Sequence, residues 1–153
     1  YNNFWGSSPA NSNVMRIAGD ATIGGSGSTY VAYVFAQKQG YSKFGKYVGN
    51  GNANGSFVYT GFKPAFLLWK ITSTTGDWRL VDTKRGVNGA IPRIKPNASS
   101  AEGSAGDNVD LLSNGFKFRS TAASANASGA SYIYMAFAEN PFTTSTGVPC
   151  TAR

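Results

Sequence analysis

Apolar residues along this chain recur at a spacing of two, in short runs broken by Gly, Ser, Asn and Thr. In "YSKFGKYV" and "GFKFRST" basic residues alternate with aromatics, the pattern of a strand with one wet face. "TYVAYVFA" and "SYIYMAFA" are apolar on both faces, as central strands covered on two sides are. The spacing predicts strands over 14–18, 29–37, 41–48, 56–60, 65–72, 77–83, 116–121 and 130–138. Asn50-Gly51 and Asn54-Gly55 in "NGNANGS" suit a tight hairpin, because Asn and Gly tolerate positive φ. Asn114-Gly115 predicts a turn between "VDLLS" and "FKFRS", and "STTGD" a loop of about four residues between "AFLLWKIT" and "DWRLVDTK". The long polar stretch "KPNASSAEGSAGDN" reads as a surface loop, with a helical turn around 99–105 as the other reading. No heptad or long amphipathic helix is visible. The expected class is all-β, an antiparallel β-sandwich or jelly-roll with short helical turns only in loops.

One pattern occurs twice. "GSTYVAYVFAQ" at 27–37 and "GASYIYMAFAE" at 129–139 match in register at Gly27/Gly129, Tyr30/Tyr132, Phe35/Phe137 and Ala36/Ala138. A period of about a hundred residues is too long for a solenoid repeat and fits a whole small domain. The expected organisation is therefore the end of a preceding unit at 1–37, packed onto the main domain, then a complete sandwich at 38–139 and a tail at 140–153. The opening "YNNFWGSSPA" has no initiator Met, basic n-region or apolar h-region, so the chain reads as a C-terminal piece of a longer protein.

Composition narrows the chemistry. Hydrophobic residues make up 41% and aromatics 14%, enough for a core, while no apolar run approaches the length of a membrane span. Fourteen Lys and Arg stand against seven Asp and Glu, but no basic run reaches five residues. Strand alternation explains their scatter, so nucleic acid is not the expected partner and anionic cell-surface glycans are. The chain has no His, which removes Ser-His-Asp triads, Cys-His dyads and His-ligated metals. Nothing groups two acids in a cleft as a glycosidase needs, and the Gly-rich "GNGNANGS" lacks the Lys of a phosphate loop. The chain is thus expected to be no enzyme and to carry no cofactor. Asp107 and Asp110 in "GDNVD" form a weak calcium candidate without the spacing of a known calcium loop. Asn54, Asn97 and Asn126 head glycosylation triplets, and the single Cys150 has no internal disulfide partner.

The stretch from "TYVAYVFAQKQGYSKFGKYVGNGNANGSFVYTGFKPAFLLWKITSTTGDWRLVDTKRG" through "LLSNGFKFR", "SYIYMAFAENPF" and "STGVPCTAR" resembles the repeated C-terminal module of tailed-bacteriophage tail-fibre and appendage proteins. These are often labelled concanavalin A-like or laminin-G-like. Its anchors are Gly40-Tyr41-Ser42-Lys43, the turn at Gly49 to Gly51, Tyr59-Thr60-Gly61-Phe62, Lys70, Asp77-Trp78, Asp82, Arg85, Ser113-Asn114-Gly115-Phe116 and Tyr132-Ile133-Tyr134. The resemblance implies a non-enzymatic virion protein in a tail or other external appendage, in contact with other virion proteins and host surface glycans. Tandem modules closing on such a strand would also account for the copy at 27–37. A capsid decoration or head-fibre protein is the runner-up, and a stand-alone carbohydrate-binding module or a glycan depolymerase the readings from other classes.

Candidate glycan contacts are residues that a sandwich would leave in loops or on wet faces: Tyr47, Asn52, Asn54, Trp78, Arg79, Lys84, Arg85 and Arg93. An exposed Trp78 or Tyr47 would stack on a sugar ring while Asn and Arg bind its hydroxyls. Trp69, inside "AFLLWKI", reads as core. The apolar ends suggest subunit contacts through Phe4, Trp5, Phe142 and Val148, in a homotrimer as the resembling appendages are.

Overall fold

A computed structural model describes residues 11, 17, 23–103 and 106–141. The chain divides into two compact units, 1–35 and 36–153. In the first, Ser28 N–H donates to Gly25 O and Gly25 N–H to the Tyr30 hydroxyl, with Gly27 at φ +77°. The expected strand at 29–37 is not formed, and Val31, Tyr33 and Val34 are exposed. A strand needs a ladder on at least one edge. The copy at 129–139 has neighbours on both edges, whereas 29–37 has no ladder among the described residues. Of the expected strand at 14–18, only Ile17 lies inside the described residues.

The second unit is all-β and contains no helix among its described residues. Its strands are β1 (Ser42–Val48), β2 (Phe57–Tyr59), β3 (Pro64–Ile71), β4 (Arg79–Asp82), β5 (Val109–Leu112), β6 (Gly115–Phe118) and β7 (Ser131–Ala138). They form two antiparallel sheets, one in the order β1-β7-β3-β4 and one in the order β2-β6-β5. The register pairs Tyr47 with Tyr132 and Trp69 with Tyr134 in the first sheet, and Val58 with Phe116 and Leu111 with Phe116 in the second. These residues face one another across the sandwich. Tyr47 meets Phe116 edge-on and stacks on Phe118, while Trp69 meets Phe118 and Tyr134 meets Phe116 edge-on. Fully buried Trp69, Phe116 and Phe118 contribute about 2 kcal/mol each from area alone, with a further increment for their ring geometry.

Alternation explains the burial. In β7, Tyr132, Tyr134 and Ala136 face the core, and Ile133, Met135 and Phe137 face outward. The outward row is also apolar: Phe137 meets Phe44, Phe66 and Tyr41 edge to face. The double-sided apolar pattern of 130–138 thus belongs to a strand between two others.

Two connections differ from expectation, at 49–56 and 72–78, while the polar stretch at 96–103 is the loop it reads as. Residues 49–56 make no hairpin, because they carry the chain from β1 in one sheet to β2 in the other. Residues 99–103 hold no helical turn; Arg93 and Gly103 instead exchange backbone hydrogen bonds at 2.9 and 3.1 Å. The Asn114-Gly115 turn does join β5 to β6, and residues 72–78 join β3 to β4, a longer loop than expected.

Candidate functional site

The strand registers bring the loops 49–56, 72–78 and 119–130 to one end of the sandwich. Core aromatics hold the last of these by their polar tips. Trp69 Nε1 donates to Ser124 O at 3.0 Å, the Tyr47 hydroxyl to Ala125 O at 2.8 Å and the Tyr132 hydroxyl to Ala123 O at 2.6 Å. Three consecutive carbonyls are therefore satisfied from inside the core. Burial raises the Tyr47, Tyr132 and Tyr134 phenol pKa values above the ordinary tyrosine value. Tyr47 is consequently a packing residue, and its expected role as a surface sugar platform is corrected.

Asn126 is buried beside this turn and its carboxamide is fully used. Its Oδ1 accepts from Asn50 N at 3.0 Å, and its Nδ2 donates to Asn50 Oδ1, Asn52 O and Ser120 O at 2.8, 2.8 and 2.9 Å. The triplet at Asn126 is thus shut away from modification, while Asn54 and Asn97 are exposed. Gly55 lets the loop close: a Cβ there would press on Phe118 O and come within 3.1 Å of Asn126 Nδ2. Asn52 and Asn54 stay exposed, but Asn52 Oδ1 accepts from Asn54 N and Asn54 Oδ1 from Arg119 Nη1.

Arg79 and Arg93 are not free surface cations. Arg79 Nη1 and Arg93 Nε each lie 2.6 Å from Asp107 Oδ2, with side-chain exposures of 13% and 14%. Arg93 Nε makes no hydrogen bond, and its contact with Asp107 is an ion pair. Ser124 Oγ donates to the other Asp107 oxygen. Both arginines are therefore corrected to structural residues that neutralise a buried carboxylate. Asp107 is also corrected as a calcium candidate, since its oxygens already face two guanidiniums and a hydroxyl. Asp110 accepts from Arg119 Nε at 2.6 Å and from Gly89 N at 3.2 Å. No group of three or more His, Cys, Asp or Glu suited to a metal occurs among the described residues.

Trp78 is half-buried, with Lys70 Nζ 5.9 Å from its ring centroid and its backbone N–H on Asn97 Oδ1 at 2.9 Å. The hollow beside it, about 180 Å³ and lined by Thr74, Thr75, Arg79 and Ser124, is smaller than usual ligand sites. Asp77 accepts from Lys95 and Asn97, and these bonds hold its pKa below the ordinary value. Lys84 and Arg85 lie at the opposite end, on the turn after β4. Lys84 is exposed, whereas Arg85 binds Asp82 and, at 2.5 Å, Glu102, a contact that raises its own pKa. The expected glycan residues are therefore not gathered in one place. Phe4, Trp5, Phe142 and Val148 lie outside the described residues.

Another surface has the needed chemistry. On the outer face of β2, Phe57 and Tyr59 are 45% and 62% exposed, one pleat apart. Across from them in β6 stand Lys117 and Gly115. The Phe57 ring leans over Gly115, where a Cβ would come within 2.8 Å of it and closer still to Val58 O. Two exposed aromatics beside a cation make a shallow platform, with Gly115 itself buried under the Phe57 ring. Sequence reading missed it by taking the 56–60 strand without fixing which side faces in. Phe116 and Phe118, which bracket Lys117, carried the signal that Lys117 and its β2 partner Phe57 face out.

No helix among the described residues is long and apolar enough to cross a membrane. No curated protein and no solved structure matches the chain. Residues 1–141 match a family described as "Domain of unknown function (DUF7483)", and the chain belongs to that family.

Proposed function

We propose that this chain is a non-enzymatic structural and adhesive protein of a phage virion, the C-terminal part of a tail fibre or similar appendage, and that it contacts host surface glycans. The observation that carries the adhesive part is the exposed pair Phe57 and Tyr59 beside Lys117 and Gly115. Folding does not explain two outward aromatics on a short edge strand, since their exposed faces contribute little burial. Sugar rings offer apolar C–H faces that match such aromatics, and the adjacent cation suits hydroxyls or acidic groups. Support for a non-enzymatic role comes from the carboxylates: each of the six described ones is in an ion pair with Lys or Arg. A general acid or base needs a carboxyl free to exchange a proton with substrate. The virion assignment draws on the resemblance of the sequence to appendage modules, with closure as a homotrimer through Phe4, Trp5, Phe142 and Val148.

A glycan array probed with the purified chain tests the adhesive reading. The parent protein is expected to bind a restricted set of glycans, and Phe57→Ser with Tyr59→Ser to lose that binding while keeping its circular dichroism. Undiminished binding by the folded double variant would overturn it. Native mass measurement tests the assembly: a monomer at micromolar concentration, unchanged by Trp5→Ser and Phe142→Ser, would remove the trimer.

A further inference from the structure

A hollow of about 340 Å³, within the size range of ligand sites, opens where the platform ends. Its lining includes Gln37, Lys38, Lys43, Tyr59 and Thr60. Both walls are braced. Ser42, itself buried, donates its hydroxyl to Ala36 O at 2.8 Å and accepts from Lys38 N at 3.1 Å, and Gly40 takes φ +68° to turn the chain. Opposite, the Thr60 hydroxyl donates to Phe62 O at 2.6 Å and its backbone N–H to Asn114 O at 3.0 Å. A ligand would meet walls that need no ordering.

Among the described residues the charge in this hollow has no internal counterpart. Lys43 stands opposite buried Ala136, on the β1 face that also carries core Tyr47, so it occupies an inward position at the mouth of the sandwich. Neither Lys38 nor Lys43 forms an ion pair among the described residues, and every described carboxylate is engaged elsewhere. Two cations converge on a concave site that also receives Tyr59, the exposed aromatic of the platform.

We infer that this hollow is the anionic subsite of the glycan surface and takes a hexuronic acid unit of an acidic polysaccharide. The carboxylate pairs with Lys38 and Lys43, and the ring lies against Tyr59. The inference rests on the glycan reading above and names its substrate class. A second role for an inward charge on an edge strand is to block edge-to-edge association. The experiment separates the two.

Calorimetric titration of the full chain uses a galacturonate trisaccharide and the neutral galactose trisaccharide. The acidic sugar is expected to bind more tightly, and less so as salt rises. Lys38→Gln and Lys43→Gln should each weaken it about threefold to tenfold, leaving the neutral sugar unaffected. Tyr59→Ser should weaken both. Unchanged acidic-sugar binding in the folded Lys38→Gln/Lys43→Gln variant overturns the inference and leaves Lys43 as edge protection. Inorganic sulfate binding as tightly as the sugar overturns the saccharide assignment. If both sugars bind equally and Phe57→Ser weakens both, or if neither binds, the subsite assignment fails, while the glycan array decides the glycan reading separately.

Discussion

Replacing Asn126 by Ala removes four hydrogen bonds and unfastens the 49–56 loop from the 119–130 loop. Two Nδ2 hydrogens serve three acceptors, so the set is worth three full bonds; at about 0.5–1.5 kcal/mol net each these contribute about 1.5–4.5 kcal/mol. Asn50 and Asn52 are exposed, so water takes over part of what they lose, whereas Ser120 O, beside the buried amide, recovers less. The expected destabilisation is about 3 kcal/mol, a fall of about 10–20 °C in the melting temperature of a domain this size. Urea unfolding followed by near-UV circular dichroism measures it, with the midpoint shifting and the slope unchanged. Asn52→Ala is the control, as its side chain makes one exposed bond, to Asn54 N; it should stay within about 1 kcal/mol of the parent. An Asn126→Ala variant within about 0.5 kcal/mol of the parent would refute the view that this amide joins the two loops.

Asp107→Asn keeps the shape of the buried group but leaves Arg79 and Arg93 facing each other without an anion, and should destabilise by about 2–4 kcal/mol, less in high salt. A salt-independent loss in the same urea assay would contradict the ionic account. At alkaline pH the raised phenol pKa values of Tyr47, Tyr132 and Tyr134 act through linkage. Below the unfolded value near 10 these groups are neutral in both states and their contribution is fully present. Above it the unfolded chain releases protons that the folded chain retains, so stability falls by up to about 1.4 kcal/mol per pH unit for each. Part of the tyrosinate absorbance should therefore appear only as the near-UV signal is lost; complete ionisation of a still-folded chain would be the contrary result.

Much of the sandwich was legible because its strands announce themselves locally. "PAFLLWKI" is long, rich in aromatic and branched residues and bounded by turn formers, and β3 occupies nearly the span read for it. The failure at 29–37 is instructive, since its sequence is almost that of β7. Side-chain pattern records which faces are apolar but not whether neighbouring strands exist to satisfy the backbone. The site was less legible for a related reason. Tyr47 sits between Lys46 and Val48, and only the pairing with Tyr132 decides that it turns inward. The Asn126 partners lie 74 and 76 residues away, so no local motif marks that amide as structural. Arg79 and Arg93 looked like surface charge until Asp107, remote in sequence from Arg79, was found between them.

The described residues carry twelve cations and six carboxylates, and the two kinds of cation behave differently. Arg79, Arg85, Arg93 and Arg119 are all in ion pairs, as are Lys63 and Lys95. The surplus, twelve less six, equals the remaining lysines: Lys38, Lys43, Lys46, Lys70, Lys84 and Lys117. Guanidinium groups thus brace the loops while primary amines hold the net charge. Mild acylation, which consumes amines and spares guanidinium, would strip that surplus while leaving the arginine braces intact. Immobilising the protein on a sensor through its lysines would silence Lys38, Lys43 and Lys117 together, so capture at a chain end is the orientation that preserves the surface to be measured.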